Sequence, residues 1–220
     1  MATILTIDFV SDVSCPWCAI GLYSLERALA GLADKVTAEI HFQPFELNPK
    51  MPPEGQDIAE HLAQKYGSTL EQQIQSQNAI SDRGAAVGFA FQWHNRKRIY
   101  NTFDAHRLLH WAGLPPTGSS PALQLDLKKA LFDAYFVRGD NPASHETLLR
   151  LAEGVGLDKA RAGAILESDE YADEVLQLES VYLDAGINSV PAVIIDRKYL
   201  ISGGQPPDVF QKAIEQILSA

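Results

Sequence analysis

Cys15 and Cys18 are the only two cysteines in the chain, and they bracket a Pro-Trp pair in Cys15-Pro16-Trp17-Cys18. Pro16 suits the first position of a helix, where a missing N–H costs nothing. Thiols spaced this way at a helix start lie on one side and can close a disulfide with little strain. A helix N-terminus also carries roughly half a positive charge and unpaired N–H groups, which favour a thiolate at Cys15. Cys18 lies one turn further in and is expected to be more buried. The chemistry implied is thiol–disulfide exchange. Cys15 is the exposed nucleophile that forms a mixed disulfide, and Cys18 is the resolving thiol that attacks it and releases the product. A zinc site would need two further ligands; there is no second CxxC, and only His106 and His110 have paired spacing, so no metal is expected. Two inert core cysteines fit the Pro-Trp turn poorly.

A second feature is Ser189-Val190-Pro191, directly before an apolar run. A cis bond there would leave the Val190 carbonyl and N–H free to pair with an extended substrate and set its sulfur over Cys15. An ordinary trans proline at the first residue of a strand is equally compatible with the sequence. Trp17 reads as an aromatic at the rim of the site. Asp12, three residues before Cys15, would oppose thiolate formation if it lay close, and is otherwise an exposed loop acid. Asn101 reads as a helix cap, and Asp104–Arg107 as a surface pair, or else as residues facing the cleft. Arg96-Lys97-Arg98 reads as a solvated face. His106 and His110 read as ordinary core or surface histidines.

The elements that must position these groups are legible in outline. Residues 3–10 read as a buried strand, 15–33 as a helix, and 36–45 as a strand with clean alternation. A breaker-rich connection follows, with Pro44, Pro49, Pro52, Pro53 and Gly55. The pattern is then helical nearly throughout, in segments 57–66, 69–87, 102–112, 121–136, 144–154, 158–166 and 170–185. Residues 89–93 are undecided between extended chain and loop. Residues 192–201 read as a hairpin and 208–218 as a closing amphipathic helix. The expected organisation is an α/β unit from residues 1–50 and 187–220, split by a helical insertion over 51–186.

The chain has 220 residues, enough to bury a normal core without staples. Its formal net charge of −10 argues against nucleic-acid binding, which needs Lys and Arg against phosphate. Two cysteines exclude a disulfide-rich scaffold. The N-terminal residues lack a basic stretch and a cleavage signal, and no apolar run is long enough to span a membrane, so the expected location is cytoplasmic.

The motifs Phe9-Val-Ser-Asp-Val-Ser-Cys-Pro-Trp-Cys18, Asn101-Thr-Phe-Asp-Ala-His-Arg-Leu108, Val190-Pro191 and Ser202-Gly-Gly-Gln-Pro206 resemble the DsbA-like thioredoxin superfamily. The nearest resemblance is to its FrnE subfamily, with 2-hydroxychromene-2-carboxylate isomerases and kappa-class glutathione transferases as relatives. It implies a thioredoxin fold with an inserted all-helical domain and a cis bond at Pro191. It also implies a thiol–disulfide oxidoreductase or isomerase, with Cys15 and Cys18 catalytic and Pro16, Trp17, Val190 and Pro191 contacting substrate. Partners would be protein or small-molecule thiols and disulfides; a homodimer through the helical insertion is a separate expectation that the resemblance does not supply. No cofactor is required. The alternative is a glutathione-dependent isomerase or transferase acting on an aromatic or polyketide substrate, with glutathione near Val190 and Gly203–Gln205. In that branch a serine usually replaces the first cysteine, which this chain keeps. A different class, a binding protein whose helices capture clients, would need neither cysteine.

Overall fold

The computed structural model describes residues 2–115 and 121–219. Strand β1 (Thr3–Ser11) leads through helix α1 (Pro16–Ala30) to strand β2 (Val36–Pro44), which lies parallel to β1 from Thr3 opposite Val36 to Ser11 opposite Pro44. Parallel neighbours need a crossover, and α1 provides it. The helix stops at Ala30 rather than reaching Ala33, because Gly31 caps it and residues 31–35 turn into β2.

The chain then leaves the sheet. Strand β3 (Gln56–Asp57) is followed by α2 (Ile58–Tyr66) and α3 (Leu70–Val87), and pairs antiparallel with β4 (Arg98–Ile99). Both strands have two residues, too short to leave an alternating pattern. Helices α4 (Phe103–Ala112), α5 (Pro121–Asp133), α6 (His145–Gly154), α7 (Lys159–Leu166) and α8 (Ala172–Asp184) complete the helical segment. Their starts are chemically specified. Asp57, Ser144 and Asp158 accept backbone N–H groups at three of these helix starts, and Thr69 with Gln72 forms a capping box. α5 continues as a π-helical turn, Ala134–Arg138, that buries Tyr135 and Phe136. Residues 89–93 form no strand; the Phe91 and Trp93 rings stack at 4.9 Å beside Phe136.

The chain returns as β5 (Ala192–Ile195), β6 (Tyr199–Ser202) and α9 (Pro207–Leu218). β5 pairs antiparallel with β1, and β6 with β5, giving a four-stranded sheet ordered β2-β1-β5-β6. This is the expected α/β thioredoxin fold with helices inserted between its halves.

One apolar core runs through both parts. Phe9, Ile20, Leu22 and Leu25 share a cluster with Phe89, Phe132, Tyr135 and Phe136 of the helical segment. A second cluster lies among the inserted helices around Leu108, Trp111 and Leu131. α5 is tied to the outer strand of the sheet by one side chain. Gln124 accepts from the Phe42 N–H at 3.0 Å and donates to the carbonyls of Phe42 at 3.3 Å and Leu109 at 2.9 Å. An edge strand with unpaired backbone groups invites association; at Phe42 a primary amide satisfies both of them.

Candidate active site

Cys15 is the N-cap of α1 and Pro16 its first helical residue. The loop before the helix is built by Asp12. Its carbonyl accepts the Cys15 N–H at 3.2 Å, and its carboxylate accepts Ser14 N–H at 2.9 Å and Leu47 N–H at 2.7 Å. Asp12 is fully buried, not an exposed loop acid. Burial pushes its carboxyl up, but His106 and the two N–H groups outweigh that and hold it below the usual range. His106 Nε2 stands 3.9 Å from the carboxylate, an ion-pair separation rather than a hydrogen bond. Asp12 thus organises the backbone under Cys15.

Both cysteines are free thiols. Cys18 is 0% exposed and Cys15 is 4% exposed. The expected order of burial holds, but Cys15 does not stand in open solvent: it opens on a cleft. Burial, then the neighbouring Cys15, push the Cys18 thiol well up.

The loop before β5 meets the dithiol from the other half of the fold through Val190; Pro191, expected to contact substrate, is not among the residues that line the cleft. The Val190–Pro191 bond is cis, and the Cys15 thiol donates to the Val190 carbonyl at 3.6 Å. The Pro191 carbonyl accepts from Gly203 N–H at 2.7 Å. Gly21 on α1 makes this approach possible, since a Cβ there would come within 2.9 Å of Pro191 Cγ. Trp17 is 37% exposed at the rim, with the Arg83 guanidinium 5.8 Å from its ring centroid.

The cleft is a cavity of about 740 Å³ between the α/β unit and the inserted helices, which accommodates a drug-sized molecule. Cys15, Pro16, Trp17 and Val190 line one wall; Phe45, Glu46, His61, Tyr66, Ile80, Trp93 and Arg96 line the others. Gly203–Gln205, expected beside it, are not among the lining residues; Gly204 packs instead on the Trp17 carbonyl. Arg96 is also relocated: it is buried, with its guanidinium 4.7 Å from the Tyr135 ring centroid. The aromatic residues around 89–93 and 135–136 draw it inward from the basic triplet.

Glu46 carries no motif and is missed by sequence reasoning. Its backbone N–H donates to Glu179 at 2.5 Å, and Oε2 has no partner among the described residues. Burial first, then Glu179, Asp12 and Asp104, push its carboxyl up to about 7. The folded state therefore binds a proton that the unfolded chain has lost, so stability falls as pH rises between about 4.5 and 7. Glu46→Gln is expected to leave Tm unchanged below that window and to raise it above, at ~2–4 °C per kcal/mol for a chain of this size. Thermal melts across the window check this; equal melting at both ends would refute it.

The N-cap position of α4 falls to Thr102, whose side chain makes no capping bond; Asn101, one residue earlier, accepts the Phe103 N–H at 2.9 Å instead. Arg107 does not face the cleft and is not on the surface: it is 4% exposed and points into the α7–α8 junction.

The family model described as a DSBA-like thioredoxin domain matches residues 6–215. An uncharacterized protein of Bacillus subtilis, YwbO, is 29% identical over 209 residues, covering 94% of each chain. A probable DsbA oxidoreductase from Streptomyces coelicolor is 32% identical with a TM-score of 0.86, covering 98% of this chain and 90% of that one. The cytosolic disulfide reductase DsbM from Pseudomonas aeruginosa, solved with glutathione, shares the fold at 16% identity and a TM-score of 0.64, covering 98% of this chain and all of that one. With a dithiol at the head of α1, a proline loop against it and a match over nearly its whole length, the chain belongs to the DSBA-like thioredoxin domain family, whose members are in general thiol–disulfide oxidoreductases.

Proposed function

We propose that the protein is a thiol–disulfide oxidoreductase in which Cys15 attacks a substrate disulfide and Cys18 resolves the mixed disulfide. The observation that carries this is the Cys15 thiol, set at a helix N-cap, facing the cleft and held 3.6 Å from the Val190 carbonyl. A substrate chain entering the cleft meets Pro16, Trp17 and the Val190 backbone together beside Cys15, and extended pairing with Val190 would lay its sulfur next to that thiol. The reading sets the protein in a reducing cytoplasm, as for the cytosolic reductase of the same fold, with protein or small-molecule disulfides as substrates. No bound cofactor is needed, because the electrons reside on the two sulfurs. Insulin reduction by dithiothreitol tests it. The protein is expected to bring forward the onset of turbidity; an onset no earlier than with dithiothreitol alone would overturn the reading.

The aromatic residues along the cleft, Trp17, Phe45, Tyr66 and Trp93, favour a second reading, glutathione-dependent isomerisation or transfer on an aromatic substrate. The glutathione-bound reductase of the same fold supports a glutathione site here. Calorimetry with glutathione decides, and absence of binding removes this reading.

A further inference from the structure

Arg96 is 9% exposed, lines the same cavity as Cys15, and has no hydrogen-bond partner for its Nε among the described residues. Other arginines are engaged. Arg107, Arg138, Arg150 and Arg161 pair with carboxylates, and Arg27, Arg83 and Arg98 donate to backbone carbonyls; no described carboxylate pairs with Arg96. Lys65, also on the cavity wall, donates to the Leu47 carbonyl at 2.7 Å and to Asn48 Oδ1 at 2.8 Å. A buried charge without a partner is costly, and an apolar side chain would fill the position without that cost.

The fold nevertheless builds a seat for this charge. The guanidinium lies 4.7 Å from the Tyr135 ring centroid, 5.2 Å from that of Phe136 and 5.7 Å from that of Trp93. Tyr135 and Phe136 come from the π-helical turn, an irregularity frequent at functional sites. The turn and the arginine loop are tied together. Gln92 N–H donates to the Phe136 carbonyl at 2.9 Å, Asn95 Nδ2 to the Val137 carbonyl at 2.7 Å, and the Tyr135 hydroxyl to the Arg98 carbonyl at 3.0 Å. Ring faces hold a guanidinium in place but do not replace an oxyanion as acceptor for its N–H fork. One guanidinium matches one negative charge, and Glu46 on the same cavity would repel a second, which favours a carboxylate over a phosphate dianion. Resting on the oxidoreductase reading above, we propose that Arg96, supplied by the inserted segment, is the recognition group of the cleft and binds the carboxylate of a small disulfide whose sulfur reaches Cys15.

Two aromatic disulfides of similar size separate charge from reactivity. Dithiobis(nitrobenzoate) carries a carboxylate on each ring, and dithiobis(nitropyridine) carries none. Attack by the Cys15 thiolate forms a bond to one reagent sulfur, breaks the reagent disulfide and releases one coloured thiolate with the electron pair. In Arg96→Met, which keeps an apolar stem among the rings, that release is expected to slow at least about tenfold for the carboxylate reagent and to stay within about twofold for the neutral one. Arg96→Lys should recover part of the loss, because the charge is kept and the fork is not. Insulin reduction by Arg96→Met should match wild type. An unchanged ratio between the two reagents would overturn the proposal, as would an equal loss with insulin, which would move the role of Arg96 from small carboxylates to protein substrates or to the shared thiol chemistry. A further measurement needs neither turnover nor a variant. In the wild type, 4-nitrobenzoate is expected to quench tryptophan fluorescence saturably, at a concentration at least about tenfold below that needed for 4-nitrobenzamide and below that for 4-nitrophenylphosphonate. Equal or tighter binding of either analogue overturns the proposal, whether or not Arg96→Met folds. Release of no thiolate from either reagent by the wild type would instead sink the oxidoreductase reading, and the quenching alone would then decide the carboxylate site.

Discussion

Cys18→Ser is expected to stop turnover and to leave a substrate thiol covalently held on Cys15. The physical reason is the geometry of the resolving step. Cys18 lies in the first turn of α1, three residues after Cys15, with its N–H donating to the Cys15 carbonyl at 3.1 Å. A thiol held in place acts at an effective concentration that reaches about 10⁵ M in well-oriented systems, whereas an external thiol must arrive by diffusion. Turnover should therefore fall by at least about a hundredfold. Incubation with oxidised glutathione, acid quenching and mass spectrometry should find a stable adduct on Cys18→Ser. The same treatment should find none on Cys15→Ser, since Cys18 is fully buried and burial suppresses its thiolate. An adduct on Cys15→Ser, or none on Cys18→Ser, would reverse or remove the assigned roles.

The cysteines, the proline and the alternating β2 strand are legible because each is a local pattern. A CxxC at a helix start, an X-Pro before a strand and a period of two need no knowledge of the rest of the chain. The groups that give the site its character are of another kind. Asp12 looks like a loop acid until Leu47 N–H and His106 close over it. Lys128 stands in Leu127-Lys128-Lys129-Ala130-Leu131, where nothing local distinguishes the two lysines; only docking of α5 on β2 separates the buried Lys128 from the half-buried Lys129. A signal was present, since Gln124, Lys128 and Phe132 recur four apart on the face that also carries Leu127 and Leu131. Glu46 follows a proline-ended strand and is buried by Glu179, 133 residues away. The cleft belongs to the same class, because its walls come from segments far apart in sequence, and no local pattern encodes their meeting. What the local code specifies is the reactive pair; what tertiary packing adds is the environment that sets each proton.

Arg107 shows how the inserted helices keep their side of that cleft. Its guanidinium donates to the Glu170 carbonyl at 2.9 Å, the Ile165 carbonyl at 2.5 Å, the Ser168 carbonyl and the Asp104 carboxylate at 2.8 Å. These carbonyls end α7 and lead into α8, where Tyr171 enters the helix at a positive φ of 63°. The Ile165 carbonyl lies in the last turn of α7 and those of Ser168 and Glu170 in the loop that follows, and one planar fork serves all three. In Arg107→Met the apolar stem is kept and the fork is lost, so three carbonyls and a carboxylate lose their donor. The expected cost is about 3–5 kcal/mol, a large share of the ~5–15 kcal/mol that holds a domain together. Lys in its place restores the charge but not the fork, and should recover only part of the loss. Denaturant unfolding of the three proteins measures this directly. A shift under about 1 kcal/mol for Arg107→Met would mean that water replaces the guanidinium without penalty. Because Arg107 is not among the residues that line the cleft, the reactivity of Cys15 toward an aromatic disulfide in the folded variant should match wild type. Loss of that reactivity with stability intact would place Arg107 in the chemistry instead of the scaffold.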